Sequence, residues 1–119
     1  MNIEEIRAYC IDKKEATEDM PFGDDTLVFK VKGKMFALMN LEGDLSLNLK
    51  CDPEESIRLR EAYDNIIPGY HMNKRLWNTI IVDDRLTEKQ LKDWIDDSYM
   101  LVVQKLPKRM QEELHGNSI

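Results

Sequence analysis

Between Leu27 and Lys50 the chain alternates apolar and polar residues in three successive runs, and glycines separate the runs. A period of two marks an extended strand with one face buried. Leu27, Phe29 and Val31 alternate with Val28, Lys30 and Lys32. Phe36 and Leu38 alternate with Met35, Ala37 and Met39. Leu45, Leu47 and Leu49 alternate with Ser46, Asn48 and Lys50. Gly33-Lys34 reads as a two-residue hairpin turn and Glu42-Gly43 as a second, with glycine supplying positive φ. These loops place Val31 opposite Phe36, Phe29 opposite Leu38, Leu38 opposite Leu47 and Phe36 opposite Leu49. Leu27, Phe29, Val31, Phe36, Leu38, Leu45, Leu47 and Leu49 then share one sheet face, which helices must cover. The other face carries Val28, Lys30, Lys32, Met35, Ala37, Met39, Ser46, Asn48 and Lys50. Lys32, Met35 and Lys50 fall in one cross-strand row there. That face is either solvated or a docking surface, and a one-residue slip would invert the assignment.

Helical patterns lie on both sides of the strands. Asn2 with Glu5 reads as a capping box, and Ile3, Ile6 and Cys10 follow at helical spacing, fading by Lys14. Ala16 to Met20 reads as a short strand, and Pro21-Phe22-Gly23-Asp24-Asp25 as a turn. Asp52-Pro53-Glu54-Glu55 starts a helix, with Asp as the cap and Pro at the first position. Ile57, Ala62, Tyr63 and Ile66 form its expected apolar stripe, and Pro68-Gly69 its end. A strand is expected over about Leu76 to Val82. Thr87 with Gln90 opens a long amphipathic helix through Leu91, Trp94, Ile95, Ser98, Leu101 and Val102. Pro107 stops it, and a short helix is expected over Lys108 to Leu114. The predicted architecture is α+β: one domain over 1–119, an antiparallel sheet with N- and C-terminal helices packed on one face.

The 119 residues suit a single core, and a charged fraction of 34% describes a heavily charged surface. No apolar run approaches the roughly 18 residues that span a bilayer, so no membrane partner is expected. The first residues lack a basic-then-apolar pattern, so no secretory signal is expected and the cytoplasm is the default location. Cys10 and Cys51 are expected to be reduced, Cys10 in the core. A monomer is the default state. Residues 1–66 hold nine Lys and Arg against fifteen Asp and Glu, while residues 67–119 hold eight of each. This is not the overall basicity of a typical nucleic-acid binder. Local basic clusters stand out all the same: Lys30, Lys32 and Lys34; Lys74 and Arg75; Lys105, Lys108 and Arg109.

The segment Pro68-Gly69-Tyr70-His71-Met72-Asn73-Lys74-Arg75-Leu76-Trp77-Asn78-Thr79 has no acidic residue in an acidic chain, and it reads as a helix-to-strand connector. Taken with Pro21-Phe22-Gly23, Phe29 to Leu38, Leu49-Lys50-Cys51-Asp52-Pro53-Glu54, Ser98-Tyr99 and Leu106-Pro107-Lys108, it resembles the MmcQ/YjbR family of small bacterial proteins. The resemblance spans nearly the whole chain in order. It implies a frataxin/CyaY-like fold, and it implies DNA binding through a pair of wing-like elements. Family members often carry His before this Trp, where this chain has Leu76, so a role for that His is absent here.

The candidate binding residues for nucleic acid or another ligand are Lys32, Lys50, Tyr70, His71, Asn73, Lys74, Trp77 and Asn78. Aromatics stack on bases and lysines neutralise phosphate. Each has a plainer reading: Trp77 and Tyr70 at the edge of the core, His71 and the asparagines as hydrogen-bonding structure, the lysines as a solvated surface. The acidic residues Glu4, Glu5, Asp12, Glu15, Glu18, Asp19, Asp24 and Asp25 attract hard cations in principle. A solvated acidic face is the commoner explanation for such residues, and no metal or other cofactor is expected. No phosphate loop, glycine-rich nucleotide fingerprint or nucleophile–base set occurs. The expectation is therefore a non-enzymatic binding protein with DNA as partner. The alternative is a small-molecule or protein-partner module using the Pro68–Thr79 loop.

Overall fold

The computed structural model describes residues 1–69 and 72–116. Helix α1 (Ile3–Ile11) opens with the Asn2 side chain accepting from the Glu5 amide and the Glu5 carboxylate accepting from the Asn2 amide. The chain then lays down β1 (Ala16–Asp19), β2 (Thr26–Val31), β3 (Lys34–Asn40) and β4 (Ser46–Lys50). It crosses over through α2 (Pro53–Ala62), adds β5 (Ile66–Pro68) and β6 (Trp77–Ile81), and closes with α3 (Glu88–Gln104) and α4 (Lys108–Gly116). The strands form one antiparallel sheet in the order β1-β2-β3-β4-β6-β5. The main core lies on one side of it. There Ile6 and Cys10 of α1, Leu91, Ile95 and Val102 of α3 and Leu114 of α4 meet Phe29, Phe36, Met39 and Leu47. This is the predicted α+β layering. Among the described residues no helix is long and apolar enough to cross a membrane.

The sheet register differs from the expected one. The β2–β3 turn is Lys32-Gly33, with φ of 51° and 78°, so Val31 pairs with Lys34. Two successive positive-φ residues match the twist of a tight hairpin, which puts glycine second in the turn rather than first. A bulge follows: Phe29 pairs with Ala37 but Lys30 with Met35, leaving Phe36 as the extra residue. On the other side the connection runs through 41–45, so Leu38 pairs with Asn48 and Met39 with Leu47. Leu38 therefore faces away from the helices, while Ala37 and Met39 face them, the reverse of the expectation. Phe36 keeps its predicted side because the bulge turns both it and Ala37 inward. Lys32 sits in the turn, not in a row with Met35 and Lys50.

Ser98 completes the bulge. It is fully buried on the apolar face of α3. Its hydroxyl donates to the Phe36 carbonyl (2.6 Å) and accepts from the Lys50 amide (2.8 Å). A buried backbone group left unpaired is costly, so a polar residue is needed at this otherwise apolar position. Tyr99, the next residue, meets the Phe36 ring edge-on at 5.2 Å.

Helix α2 ends earlier than expected. Tyr63 caps it in an extended conformation, and Ile66 is a strand residue, not the last member of a helical stripe. Ile57 is 55% exposed. The helix touches the core through Leu59 and Tyr63 instead, with the Tyr63 ring edge-on to Trp94. Asn65 draws the chain onto β6: its carbonyl accepts from the Ile81 amide (2.8 Å) and its side chain donates to the Ile81 carbonyl (2.9 Å). The Pro68–Thr79 segment thus joins two strands, not a helix to a strand.

Candidate functional site

The described part of the β5–β6 connection is built by backbone packing. Gly69 donates to the Trp77 carbonyl (2.9 Å). A Cβ at Gly69 would lie 3.1 Å from the Trp77 Cβ and 3.2 Å from the Trp77 carbonyl oxygen, so glycine permits the close approach. Asn73 shapes the return. Its carbonyl accepts from the Leu76 (3.0 Å) and Trp77 (2.9 Å) amides, and its side chain accepts from the Arg75 amide (3.0 Å). Tyr70 and His71, two of the predicted site residues, lie outside the described residues.

Trp77 and Asn78 diverge to opposite sides of the sheet. Trp77 is 7% exposed and packs with Val28 and Leu38 on the face away from the helices, where Met35, Met72 and Leu76 join it. It is the centre of a second small core and offers no free ring face for a base. Asn78 is buried toward the helices and accepts from the Arg60 guanidinium (2.7 Å). Arg60 also donates to the Trp77 (3.3 Å) and Lys74 carbonyls, tying α2 to the connection. Sequence reasoning missed Arg60. The signal was a cation in the last turn of α2, a position that the helix dipole explains without any further partner.

Strand direction sorts the charges. The β2–β3 turn, the end of β4, the β5–β6 connection and the end of α3 all lie at one end of the sheet, because Lys50 pairs with Trp77 and bonds Ser98. That end carries Lys30, Lys34, Lys50, Lys74, Arg75 and Lys105, together with the carboxylates Glu15 and Glu113 beside Lys32 and Asp52, Glu55 and Asp97 beside Cys51. The opposite end holds the connections with Asp24, Asp25, Glu42, Asp44, Asp64, Asp83 and Asp84. The predicted residues Lys32, Lys50, Asn73, Lys74 and Trp77 are therefore brought to one end, and Asn78 turns inward from it. Lys32 is already engaged, 3.0 Å from Glu15 and 2.9 Å from Glu113, and both carboxylates raise its pKa. Lys50 differs: burial, and then the like charge of Lys105, pull its pKa down.

The face away from the helices holds a groove of about 570 Å³. Its floor is a row across four strands, Leu38–Asn48–Thr79–Ile67, in which the Thr79 hydroxyl donates to the Asn48 side chain (2.5 Å). Phe22 from the β1–β2 connection and Met72 from the β5–β6 connection also line it. Among the described residues no cation lines it, and Asp25 is the one acidic residue of the lining. The sequence marks Phe22 as part of a turn and of the family motif, but gives it no binding role and does not show the groove. The expected register turned Leu38 to the other face, which removed the floor.

Neither cysteine has the setting of a nucleophile. Burial pushes the Cys10 thiol up to about 12, and burial also raises Cys51. Among the described residues no group of three or more His, Cys, Asp or Glu is placed to hold a metal ion.

The model of the YjbR family matches residues 11–101. The uncharacterized Escherichia coli O157:H7 protein YbdF is 43% identical over 95 residues, 79% of this chain and 78% of that one. The uncharacterized protein YjbR of Escherichia coli K12 is 30% identical over 115 residues, 96% of this chain and 98% of that one. Among solved structures, a Deinococcus radiodurans protein with a DUF419 domain superposes with a TM-score of 0.90 at 38% identity, covering 96% of this chain and 88% of its own. A Pseudomonas syringae protein superposes with a TM-score of 0.74 at 29% identity, covering 85% of this chain and 98% of its own. A match of this extent, over a sheet and helices in the same order, means that the chain belongs to the YjbR family.

Proposed function

We propose that this protein is a non-enzymatic binder of DNA that presents the basic end of its sheet to the phosphate backbone. The observation that carries this reading is the gathering of Lys30, Lys34, Lys50, Lys74, Arg75 and Lys105 at one end of a chain whose net charge is −6. The acidic excess sits largely at the far end, so the overall charge understates the local field. A molecule polarised in this way is steered by a polyanion: one end is drawn in and the other held off. Lys50 supports the same reading, since a phosphate beside it would offset the repulsion from Lys105. Lys32 is left out of the contact set because Glu15 and Glu113 already neutralise it. In this reading the β2–β3 hairpin and the described part of the β5–β6 connection serve as the two wing-like elements. Trp77 acts beneath them as packing, not as a stacking platform.

We read the fold as frataxin-like. The N- and C-terminal helices α1 and α3 lying together on one face of an antiparallel sheet support that reading.

The test is amide chemical-shift mapping with a short duplex at low salt. The expected result is saturable shifts at Lys30, Lys34, Lys50 and Arg75, and weaker binding for Lys34→Glu and Lys50→Glu. Shifts confined to the opposite end, or none, would contradict the proposal.

A further inference from the structure

We propose that the groove on the helix-free face is a separate binding site for a small organic cation with an apolar body, such as an aromatic amine. At about 570 Å³ it falls within the range of small-molecule sites. Its chemistry is specific. Leu38, Ile67 and Met72 offer apolar surface, while Asn48 and Thr79 put amide and hydroxyl groups on the floor. Those two side chains already orient each other, so the floor is organised before any ligand arrives. The Phe22 ring is 63% exposed, held out by the Pro21-Phe22-Gly23 turn with Gly23 at a φ of 116°. A large aromatic presented to solvent at the edge of a groove can cover an apolar ligand or face a cation.

Charge selects the class. Among the described residues Asp25 is the one charged residue of the lining, and Asp24, Glu42 and Asp44 lie on the connections at the same end of the sheet. Of the described lining residues, an ammonium meets the Asp25 carboxylate and an anion meets no cation. The groove and the basic end therefore favour opposite charges. They meet at the β5–β6 connection, whose Met72 lines the groove, but the probes and variants differ, so either proposal can fail without the other.

The experiment is amide chemical-shift mapping with tryptamine, and with indole-3-propionate as the same ring bearing a carboxylate. Tryptamine is expected to shift the Leu38, Asn48 and Thr79 amides saturably, at roughly millimolar affinity for a probe of this size. Asp25→Asn is expected to weaken it about threefold, the effect of losing one exposed ion pair. Phe22→Ser, at an exposed position, is expected to weaken it while leaving the fold intact. Indole-3-propionate, which loses the Asp25 ion pair and adds a repulsion, is expected to bind at least about threefold more weakly and to shift the three amides less at equal concentration. Equal shifts from both probes, or no saturable shift with tryptamine, would overturn the proposal. So would shifts of the same amides that follow protein concentration without any probe, since these would assign the groove to a second copy of the chain.

Discussion

Ser98→Ala tests the link between the β3 bulge and helix α3. The substitution removes one oxygen from a fully buried site, so the packing change is small. It strands two backbone groups, the Phe36 carbonyl and the Lys50 amide, which the hydroxyl now satisfies at 2.6 and 2.8 Å. Each orphaned group costs about 1–3 kcal/mol, and alanine returns about 0.5 kcal/mol of helix propensity. The net expectation is a loss of about 1.5–5.5 kcal/mol, a large share of the stability of a domain this size. Ser56→Ala is the control. Ser56 is also a buried helical serine, at 1% exposure, but its hydroxyl lacks a well-formed hydrogen bond and has only the Cys51 thiol, a weak partner, beside it. Its removal is expected to change stability by under about 1 kcal/mol in either direction. Urea unfolding followed by Trp77 and Trp94 fluorescence reads both variants. The Ser98→Ala midpoint should fall by about 1–3.7 M at a slope of about 1.5 kcal/mol per M. Equal midpoints for the two variants would show that the bulge is satisfied without Ser98 and would refute the argument.

Arg60→Ala should destabilise by about 1.5–3 kcal/mol, because it leaves the Asn78 side chain buried without its charged donor. Arg60→Lys should recover little of this, since one ammonium cannot reproduce the forked contacts to Asn78 and the Trp77 carbonyl; full recovery in a urea titration would count against the clamp. Asp97 has its pKa raised by desolvation and then by Asp93, Asp96 and Glu55, so its ionised form is the one that the fold disfavours. Asp97→Asn should therefore raise the urea midpoint at neutral pH, and the gain should fade as pH falls through the carboxylate range and the native side chain takes up its proton. A gain that grew toward acid pH would reverse the assigned sign.

The layers of this fold are legible in the sequence because they rest on strong local signals. Asn2 with Glu5, Asp52 with Pro53 and Thr87 with Gln90 are all helix starts whose caps form as their residue types require. The register was less accessible. The turn at Lys32-Gly33 in place of Gly33-Lys34 moves the pairing by two residues and keeps the faces, whereas the extra residue at Phe36 moves it by one and inverts the strand beyond it. Phe36 therefore keeps its expected side and Leu38 changes sides. The bulge is selected by a distant residue, Ser98, which local pattern cannot weigh. The candidate site shows the same division. Lys50, Lys74 and Trp77 were identifiable as unusual residues. Their gathering at one end follows from strand direction, and the inward turn of Asn78 follows from Arg60 in another element. The groove was invisible for the reason that displaced Leu38.

The proposed contact joins the basic end of the sheet to a phosphate backbone despite the net acidic charge. The most direct measurement is the affinity for a short DNA duplex from about 25 to about 200 mM salt. With roughly three to five phosphates neutralised by the lysines and arginine of that end, log affinity should fall linearly against log salt with a slope of about −3 to −5. Lys50→Glu should make the slope shallower by about one or more. A slope near zero, or no association at the lowest salt, would contradict the account.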